Sequence, residues 1–296
     1  MYLLRRFSRI LLVITLAVFA FFLFKNRAGV DSRGPAIQTE EGLLEVSVKD
    51  SEEILLSGVS ARDSSDGDVT DSVEVENIST FYADKKRLVT YVAFDSDNHV
   101  ARATRELHYT DYESPKFSLT EPLQYLPGAI NLKVSAHDCL DGDITSAIKL
   151  QVKDPITTDQ PGEYEAAFQV ANSAGDVSTL PVIIEILDRD TQRAAEIHLT
   201  KYLDYIKKGT AFDPYAYLDT VTISGRSYRA VPGEGNFNNA DIGRDEEIVM
   251  GSDMIEVNGD VDTALAGTYR VEYSITIDRG HTDVSTSHTV LYVVVR

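Results

Sequence analysis

The sequence predicts an all-β protein built from tandem β-sandwiches, and three observations lead to that fold class. From Leu43 onward, apolar and polar residues alternate in short segments, as they do in strands that lie on a core with one face. Gly, Pro, Asn and Asp separate these segments, which is typical of turns between strands. An acidic decapeptide, ARDSSDGDVT at 61–70, returns as AHDCLDGDIT at 136–145, which indicates that a whole structural unit is repeated.

Composition narrows the classes of function that the chain can have. The 296 residues are 43% hydrophobic, which is enough for about two or three cores of ordinary size. The formal net charge of −19 would repel a phosphate backbone, so nucleic acid is not an expected partner. Cys139 is the single cysteine, so no disulfide can form within the chain and packing must supply the stability.

The N-terminal segment is an uncharged apolar run from Ile10 to Phe24, which predicts a single transmembrane helix within residues 1–27. A cleaved signal peptide is the alternative, because its apolar region has the same length. The unbroken Phe-rich end of the run favours a retained signal-anchor, and the basic residues before it favour an N-terminus inside the cell. Residues 28–42 have the composition of a linker. We therefore expect a single-pass protein of the cell membrane with an extracellular body.

Three repeated units follow the linker. The predicted domains span 43–110, 111–188 and 189–296. Aligning the first two units places Asn98 and Gly175 at the same hairpin position, where the backbone needs a positive φ. In the third unit, TYRVEYSITID at 268–278 alternates strictly, which predicts a strand with one buried face and one wet face. The third unit lacks the acidic loop and instead carries a predicted insertion at 225–252.

The chain resembles a known family in the order of its motifs. The pattern A-x-D-x-x-D-G-D-[VI]-T, followed by P-G-x-Y at 161–164 and an Asn or Gly hairpin, is similar to the DGD-containing bacterial immunoglobulin-like repeat. This type of repeat occurs in tandem on surface proteins and in some pesticidal crystal toxins, and it is similar to hyaline repeats. The resemblance covers 43–188 well and 195–296 only at its two ends. It implies extracellular immunoglobulin-like sandwiches that serve as spacers, stalks or adhesion modules and share no catalytic site.

The acidic loops have three competing interpretations. Asp accepts main-chain hydrogen bonds within tight turns, so each loop is expected first of all to be a structural corner. Carboxylate oxygens also suit Ca²⁺, which makes a weak calcium site the alternative, although the spacing is not that of an EF-hand. Catalytic carboxylates are disfavoured because neither loop supplies a partner base or nucleophile. The candidate ligands are Asp63, Asp66 and Asp68 in the first unit, and Asp138, Asp141 and Asp143 in the second.

Aromatic residues mark the candidate recognition surface in the third unit. Phe212, Tyr215, Tyr217 and Tyr228 cluster beside the predicted insertion. Long loops often carry binding, whereas an enlarged core beneath the longer loop is the alternative explanation for the cluster.

The expected function is therefore that of a non-enzymatic, membrane-anchored surface protein. Its first two units would be a spacer, and its third unit would contact an extracellular protein or a glycan. A ligand-binding or carbohydrate-binding adhesin and a tethered subunit of an envelope complex are the alternatives. Apart from the weak Ca²⁺ site, no cofactor is expected.

Overall fold

The structure, a computed structural model, describes residues 11–22, 33–128, 130–188, 195–223, 225–231, 249–251, 254–278 and 284–296. The chain divides into two compact parts, the N-terminal unit Met1–Tyr112 and the C-terminal unit Glu113–Arg296. Regular structure in the described residues is almost entirely β-strand, arranged in six sheets, which confirms the predicted all-β class. The boundaries of the three predicted domains stay predictions.

The predicted membrane anchor is not supported by the structure. Helix α1 covers residues 11–22, and its side chains are exposed. Within the described ranges, no helix is both long enough and apolar enough to cross a membrane. Residues 1–10 and 23–32, which include the remainder of the predicted anchor, lie outside the described part of the chain.

The N-terminal unit contains the first sandwich, whose two sheets enclose a core. Its strands are β1 (Ala36–Thr39), β2 (Leu44–Val46), β3 (Val59–Asp63), β4 (Gly67–Asp68), β5 (Glu74–Ile78), β6 (Lys86–Phe94) and β7 (Val100–Tyr109). One sheet has the order β1-β3-β4, and the other has the order β2-β7-β6-β5, with β2 parallel to β7. A single helical turn, α2 (Glu52–Leu55), follows β2. Strand β1 falls inside the predicted linker at 28–42, because this short segment completes the first sheet by pairing with β3.

Alternation along the strands builds the core of the first sandwich. Val59 and Ala61 of β3 are buried, while the residues between them are exposed. Tyr91 of β6 is fully buried, and its hydroxyl donates a hydrogen bond to Leu55 O (2.7 Å), so α2 is held against the core. The turn between β6 and β7 contains Asn98 with φ of 63°, as predicted from the repeat.

The C-terminal unit begins with the second sandwich. Its strands are β8 (Lys116–Leu119), β9 (Gln124–Tyr125), β10 (Val134–Asp138), β11 (Gly142–Asp143), β12 (Lys149–Val152), β13 (Gly162–Ala171) and β14 (Val177–Ile186). The sheet orders are β8-β10-β11 and β9-β14-β13-β12, with β9 parallel to β14. These orders match those of the first sandwich strand for strand, so the repeated sequence corresponds to a repeated topology. Gly175, with φ of 80°, occupies the turn position of Asn98.

The third sandwich completes the C-terminal unit and keeps the same plan. Its strands are β15 (Ala195–Leu199), β16 (Leu203–Ile206), β17 (Leu218–Ile223), β18 (Arg226–Val231), β19 (Val249–Gly251), β20 (Glu256–Asn258), β21 (Gly267–Asp278) and β22 (Val284–Val295). The sheet orders are β15-β17-β18-β19 and β16-β22-β21-β20. Strands β18 and β19 are the described ends of the predicted insertion, and residues 232–248 within it lie outside the described residues.

A continuous buried cluster runs through both sandwiches of the C-terminal unit, from Phe117 in β8 to Val293 in β22. In β21 the predicted inner face is confirmed, because Val271 and Tyr273 are fully buried. The expectation that the opposite face is wet is wrong for Ser274, which is only 8% exposed. The reason is that the second sandwich covers this face of the sheet.

Candidate interaction site

The first acidic loop is a corner held by its own main chain. Asp63 is 4% exposed, and its Oδ1 accepts hydrogen bonds from Ser65 N (2.7 Å) and Asp66 N (3.0 Å). Gly67 follows with φ of 80°, a conformation that residues with a Cβ rarely adopt. The aspartate and the glycine together reverse the chain between β3 and β4.

The second acidic loop has the same geometry. Asp138 is 1% exposed, and its Oδ1 accepts hydrogen bonds from Leu140 N (2.9 Å) and Asp141 N (3.1 Å). Gly142 has φ of 73°. The main-chain hydrogen bonds expected of a structural corner are therefore present in both copies.

The second aspartate of each loop reaches across to a hairpin turn. Asp66 accepts hydrogen bonds from Ser96 N (2.7 Å) and Ser96 Oγ (2.9 Å). Asp141 contacts Ser173 in the same way, at 2.5 Å to the amide and 2.6 Å to the hydroxyl. A carboxylate thus ties the corner to the β6–β7 hairpin in one sandwich and to the β13–β14 hairpin in the other.

The third aspartate of each loop accepts a hydrogen bond from the backbone of the threonine two residues later. Asp68 Oδ1 accepts a hydrogen bond from Thr70 N (3.0 Å), and Asp143 Oδ1 accepts one from Thr145 N (2.9 Å). Hydrogen bonds from these threonines hold the pKa of Asp68 and the pKa of Asp143 below their ordinary values. All six candidate aspartates are therefore placed by contacts within their own sandwich. Among the described residues, no group of three or more His, Cys, Asp or Glu side chains is arranged to hold a metal ion.

The two copies differ at one buried position. In the second sandwich, Asn172 Nδ2 donates a hydrogen bond to Asp138 Oδ2 (3.1 Å). Asp95 takes the place of this asparagine in the first sandwich, and its carboxylate binds the backbone and the ring of His99. Asp63 Oδ2 consequently has no hydrogen-bond partner among the described residues, although it is buried.

The aromatic residues predicted for recognition contribute mainly to packing. Tyr228 is buried, and Phe212 and Tyr217 are half-buried against the core, with ring centroids 5.7 Å apart. Tyr217 donates a hydrogen bond to Asp204 Oδ2 (2.8 Å), and burial together with this bond raises the pKa of its hydroxyl. Tyr215 is 38% exposed, so of the four it has the most accessible ring.

Two tyrosine hydroxyls of the third sandwich form hydrogen bonds with backbone groups at strand edges of the second. Tyr292 Oη accepts a hydrogen bond from Ile183 N (2.8 Å) and donates one to Ile183 O (3.1 Å), as a neighbouring strand would. Tyr205 Oη accepts a hydrogen bond from Phe117 N (2.8 Å) on the edge strand β8. Arg296 lies over the Tyr205 ring, 4.4 Å from its centroid. Both sheets of the second sandwich are therefore bound to the third.

Charged side chains extend this interface. Glu185 Oε2 accepts hydrogen bonds from Gln124 Nε2 (2.7 Å) and pairs with His288 Nε2 (2.8 Å). Burial alone would raise the pKa of Glu185, but the hydrogen bonds from His288 and Gln124 outweigh it and lower the pKa. The hydrogen bond to Glu185 raises the pKa of His288, against the opposing effect of burial. Arg270 forms a second ion pair across the interface, with Glu163 at 3.0 Å.

A cleft of about 580 Å³ opens beside the Glu185–His288 pair, between β9 and β14 of the second sandwich and β15 and β22 of the third. The sequence predictions above do not include these residues. One signal was present: the runs VIIEIL at 182–187 and LYVVV at 291–295 are almost continuously apolar, a pattern typical of strands covered on both faces.

Comparison with known sequences gives one weak relative of wide coverage. No family model matches the chain. The chain is 25% identical over 228 residues to the pesticidal crystal protein Cry22Aa of Bacillus thuringiensis, a match that covers 74% of this chain and 27% of that protein. The chain thus spans about a quarter of the length of this relative. The expected resemblance to a pesticidal crystal protein is confirmed as weak sequence similarity, while membership of the DGD-containing repeat type stays a prediction.

Parts of this chain are similar to parts of solved structures. The CBM51-2 and INT domains of Clostridium perfringens ZmpB, solved with GlcNAc, match at 19% identity and a TM-score of 0.22, over 50% of this chain and 27% of that chain. Extracellular cadherin domains 1–5 of protocadherin gamma B2 match at 12% identity and a TM-score of 0.22, over 89% of this chain and 60% of that chain. Scores at this level carry no argument about function.

Proposed function

We propose that the chain is a non-enzymatic, immunoglobulin-like interaction protein that works outside the cell, with its C-terminal unit acting as one rigid body. The observation that carries the proposal is the interface between the second and third sandwiches. There, Tyr292 and Tyr205 bind strand edges of the second sandwich, and the buried core continues from one sandwich into the other. The third sandwich is thereby held in a fixed orientation for contact with a partner.

The physical argument concerns what fixes the orientation of joined modules. Domains joined only by a short linker and a small polar interface move relative to each other by default. A hydroxyl that binds both the N–H and the C=O of Ile183 resists sliding, because any shift leaves these backbone groups unpaired. The ion pairs of Glu185 and Arg270 restrict rotation at separate points of the same interface.

A binding role rather than a catalytic one is supported by the state of the acidic loops. Asp63 and Asp138 are buried and engaged by main-chain amides, and Asp66 and Asp141 are engaged by hairpin serines. A general acid or base must be within reach of a substrate proton, and these groups already bind the protein itself. The recurrence of one corner geometry in two sandwiches supports assignment to the DGD-containing repeat type.

Calorimetry of the full chain tests the rigid-body proposal. If the second and third sandwiches are one body, they unfold in a single cooperative transition whose calorimetric and van't Hoff enthalpies agree. Hydrogen exchange should show that β14 and β22 open together. Separate transitions of the second and the third sandwich, with exchange of β22 preceding that of β14, would contradict the proposal, whereas a separate transition of the N-terminal unit would not.

A glycan-binding adhesin is the second candidate, and the exposure of Tyr215 favours it. Its ring lies in the same short segment as the Phe212–Tyr217 pair, and aromatic faces are common platforms for sugar rings. A screen of the full chain against a glycan array, repeated with Tyr215→Ala, tests this candidate. Binding that survives the substitution at full strength would remove Tyr215 from the recognition surface.

A further inference from the structure

The cleft between the second and third sandwiches has the size of a ligand site. Its volume of about 580 Å³ falls within the range of roughly 300–1,000 Å³ that is usual for small-molecule pockets, and it is far larger than a single metal ion needs. It forms where two sandwiches of one unit meet, a place where binding sites often occur.

Acidic groups outnumber basic groups in the cleft, where His198 and His288 are the basic residues of the described lining. Four carboxylates line it, and neither Lys nor Arg is among its described lining residues. Three of the four, Glu121, Asp188 and Glu196, are exposed, and the carboxylates of Glu121 and Glu196 are hydrated and open to an incoming ligand. The excess of carboxylates inside a concave surface concentrates the negative potential there. An anionic ligand would therefore be repelled, whereas a cationic ligand would be drawn in.

One hydrogen-bonding group of the cleft wall lacks a partner among the described residues. Thr289 is 1% exposed, and its Oγ1 has no hydrogen-bond partner within the described part of the chain. Glu185, which also lines the cleft, uses Oε2 for both Gln124 and His288. Buried polar atoms are usually paired, so the Thr289 oxygen is an acceptor that an N–H donor can satisfy.

We propose that this cleft binds an organic cation, an ammonium or guanidinium group carried by a free polyamine or by a Lys or Arg side chain of a partner protein. Such a group supplies several N–H donors and no acceptor, which complements a wall of carboxylate and hydroxyl oxygens. The cleft exists only while the second and third sandwiches stay packed, so this inference rests on the rigid body of the proposed function.

Isothermal titration of the full chain tests the inference with two probes, spermidine and a capped tri-arginine peptide. Preference for spermidine indicates a free amine as the ligand, and preference for the peptide indicates a partner side chain. Glu121→Gln and Glu196→Gln should each weaken binding about fivefold, the effect of removing one exposed charge partner. Both positions are exposed, so the fold should tolerate these substitutions.

Glu256→Gln is the matched control, because it removes the same charge at an exposed position on β20 that does not line the cleft. An equal loss in the control would mean that the probes bind only the general negative surface, and would overturn the proposal. Lack of binding by both probes, or tighter binding of neutral N-acetylglucosamine, would also overturn it. If the second and third sandwiches unfold in one transition while titration gives no heat, the cleft ligand is wrong and the proposed function stands. If these two sandwiches unfold in separate transitions, the rigid body itself is contradicted.

Discussion

Asn172→Asp replaces an amide with a carboxylate of nearly the same size, but it should strongly destabilise the C-terminal unit. Asn172 is 7% exposed, its Nδ2 donates to the buried Asp138 Oδ2, and its Oδ1 accepts a hydrogen bond from Asp176 N (2.9 Å). The substitution keeps the second interaction and removes the first. It also places two carboxylates against each other at a buried position. The first sandwich already has an aspartate at this place, but there the His99 ring contacts the carboxylate, whereas Asp176 takes the position of His99 in the second.

The magnitude follows from the group that is left unpaired. Depriving a buried acceptor of its donor costs about 1–3 kcal/mol, and more when the acceptor is charged. Repulsion between the two carboxylates adds to this, so we expect a total of about 2–4 kcal/mol at pH 7. The loss should shrink at acidic pH, because protonation of the introduced carboxyl restores a donor toward Asp138.

Urea unfolding of the full chain, followed by circular dichroism, measures the effect, and hydrogen exchange assigns it to one unit. Asn258→Asp is the matched control, since Asn258 is exposed on β20. The reciprocal change, Asp95→Asn, should give Asp63 Oδ2 a donor but remove the contact between Asp95 Oδ2 and the His99 ring, so its net effect on stability should be smaller than that of Asn172→Asp. Equal stabilities of Asn172→Asp and the control would refute the account of the buried pair.

Three further predictions concern the corners and the interface. Asp66→Ala and Asp141→Ala should each lower the melting temperature equally with and without a chelator, since each carboxylate binds a hairpin; a loss confined to calcium-loaded protein would favour the metal site. Because the folded-state pKa of His288 is raised, its stabilising contribution is full below about pH 6.5 and disappears as pH rises through the folded value. His288→Gln should therefore flatten the decline in urea stability between pH 6 and 9, and an unchanged slope would argue against this. Tyr292→Phe should cost about 1–3 kcal/mol in urea unfolding, whereas Tyr215→Phe, at an exposed ring, should cost nothing measurable.

Features that depend on a few neighbouring residues could be predicted from the sequence. Asn98 and Gly175 were placed at a positive-φ turn because only local sterics decide that position. The corner at Asp63 was predicted for the same reason, since its hydrogen bonds reach only two and three residues ahead. The fold class followed from strand alternation, which is likewise a local pattern.

Contacts between residues that are far apart in the sequence could not be predicted from it. Asp66 binds Ser96, thirty residues away, and no pattern in either segment specifies the other. Glu185 and His288 are 103 residues apart; Glu185 lies in an apolar run and His288 among Ser and Thr residues, so neither suggests an ion pair or a cleft. For the predicted recognition cluster, closeness in sequence was misleading. Tyr217 and Tyr228 are close in sequence to the predicted insertion, but in the folded sandwich they pack in or against the core.

The first two sandwiches differ in sequence at the place where the second packs against the third. On the outer face of β14, Ile183 lies at the place that Glu106 takes on β7 of the first sandwich. Ile183 is half-buried beneath Tyr292, whereas the Glu106 side chain is 52% exposed. A carboxylate at position 183 would have to lose its hydration to keep this contact, and that loss costs more than the interface gains.

Ile183→Glu should therefore separate the third sandwich from the second without unfolding either. We expect calorimetry to resolve the shared transition of the second and third sandwiches into two. We also expect the backbone amide of residue 183 to lose its protection from exchange. Pro181→Glu is the control, because Pro181 is exposed on the same face two residues earlier. A single transition in Ile183→Glu, at an unchanged temperature, would mean that the apolar contact at this position does not hold the two sandwiches together.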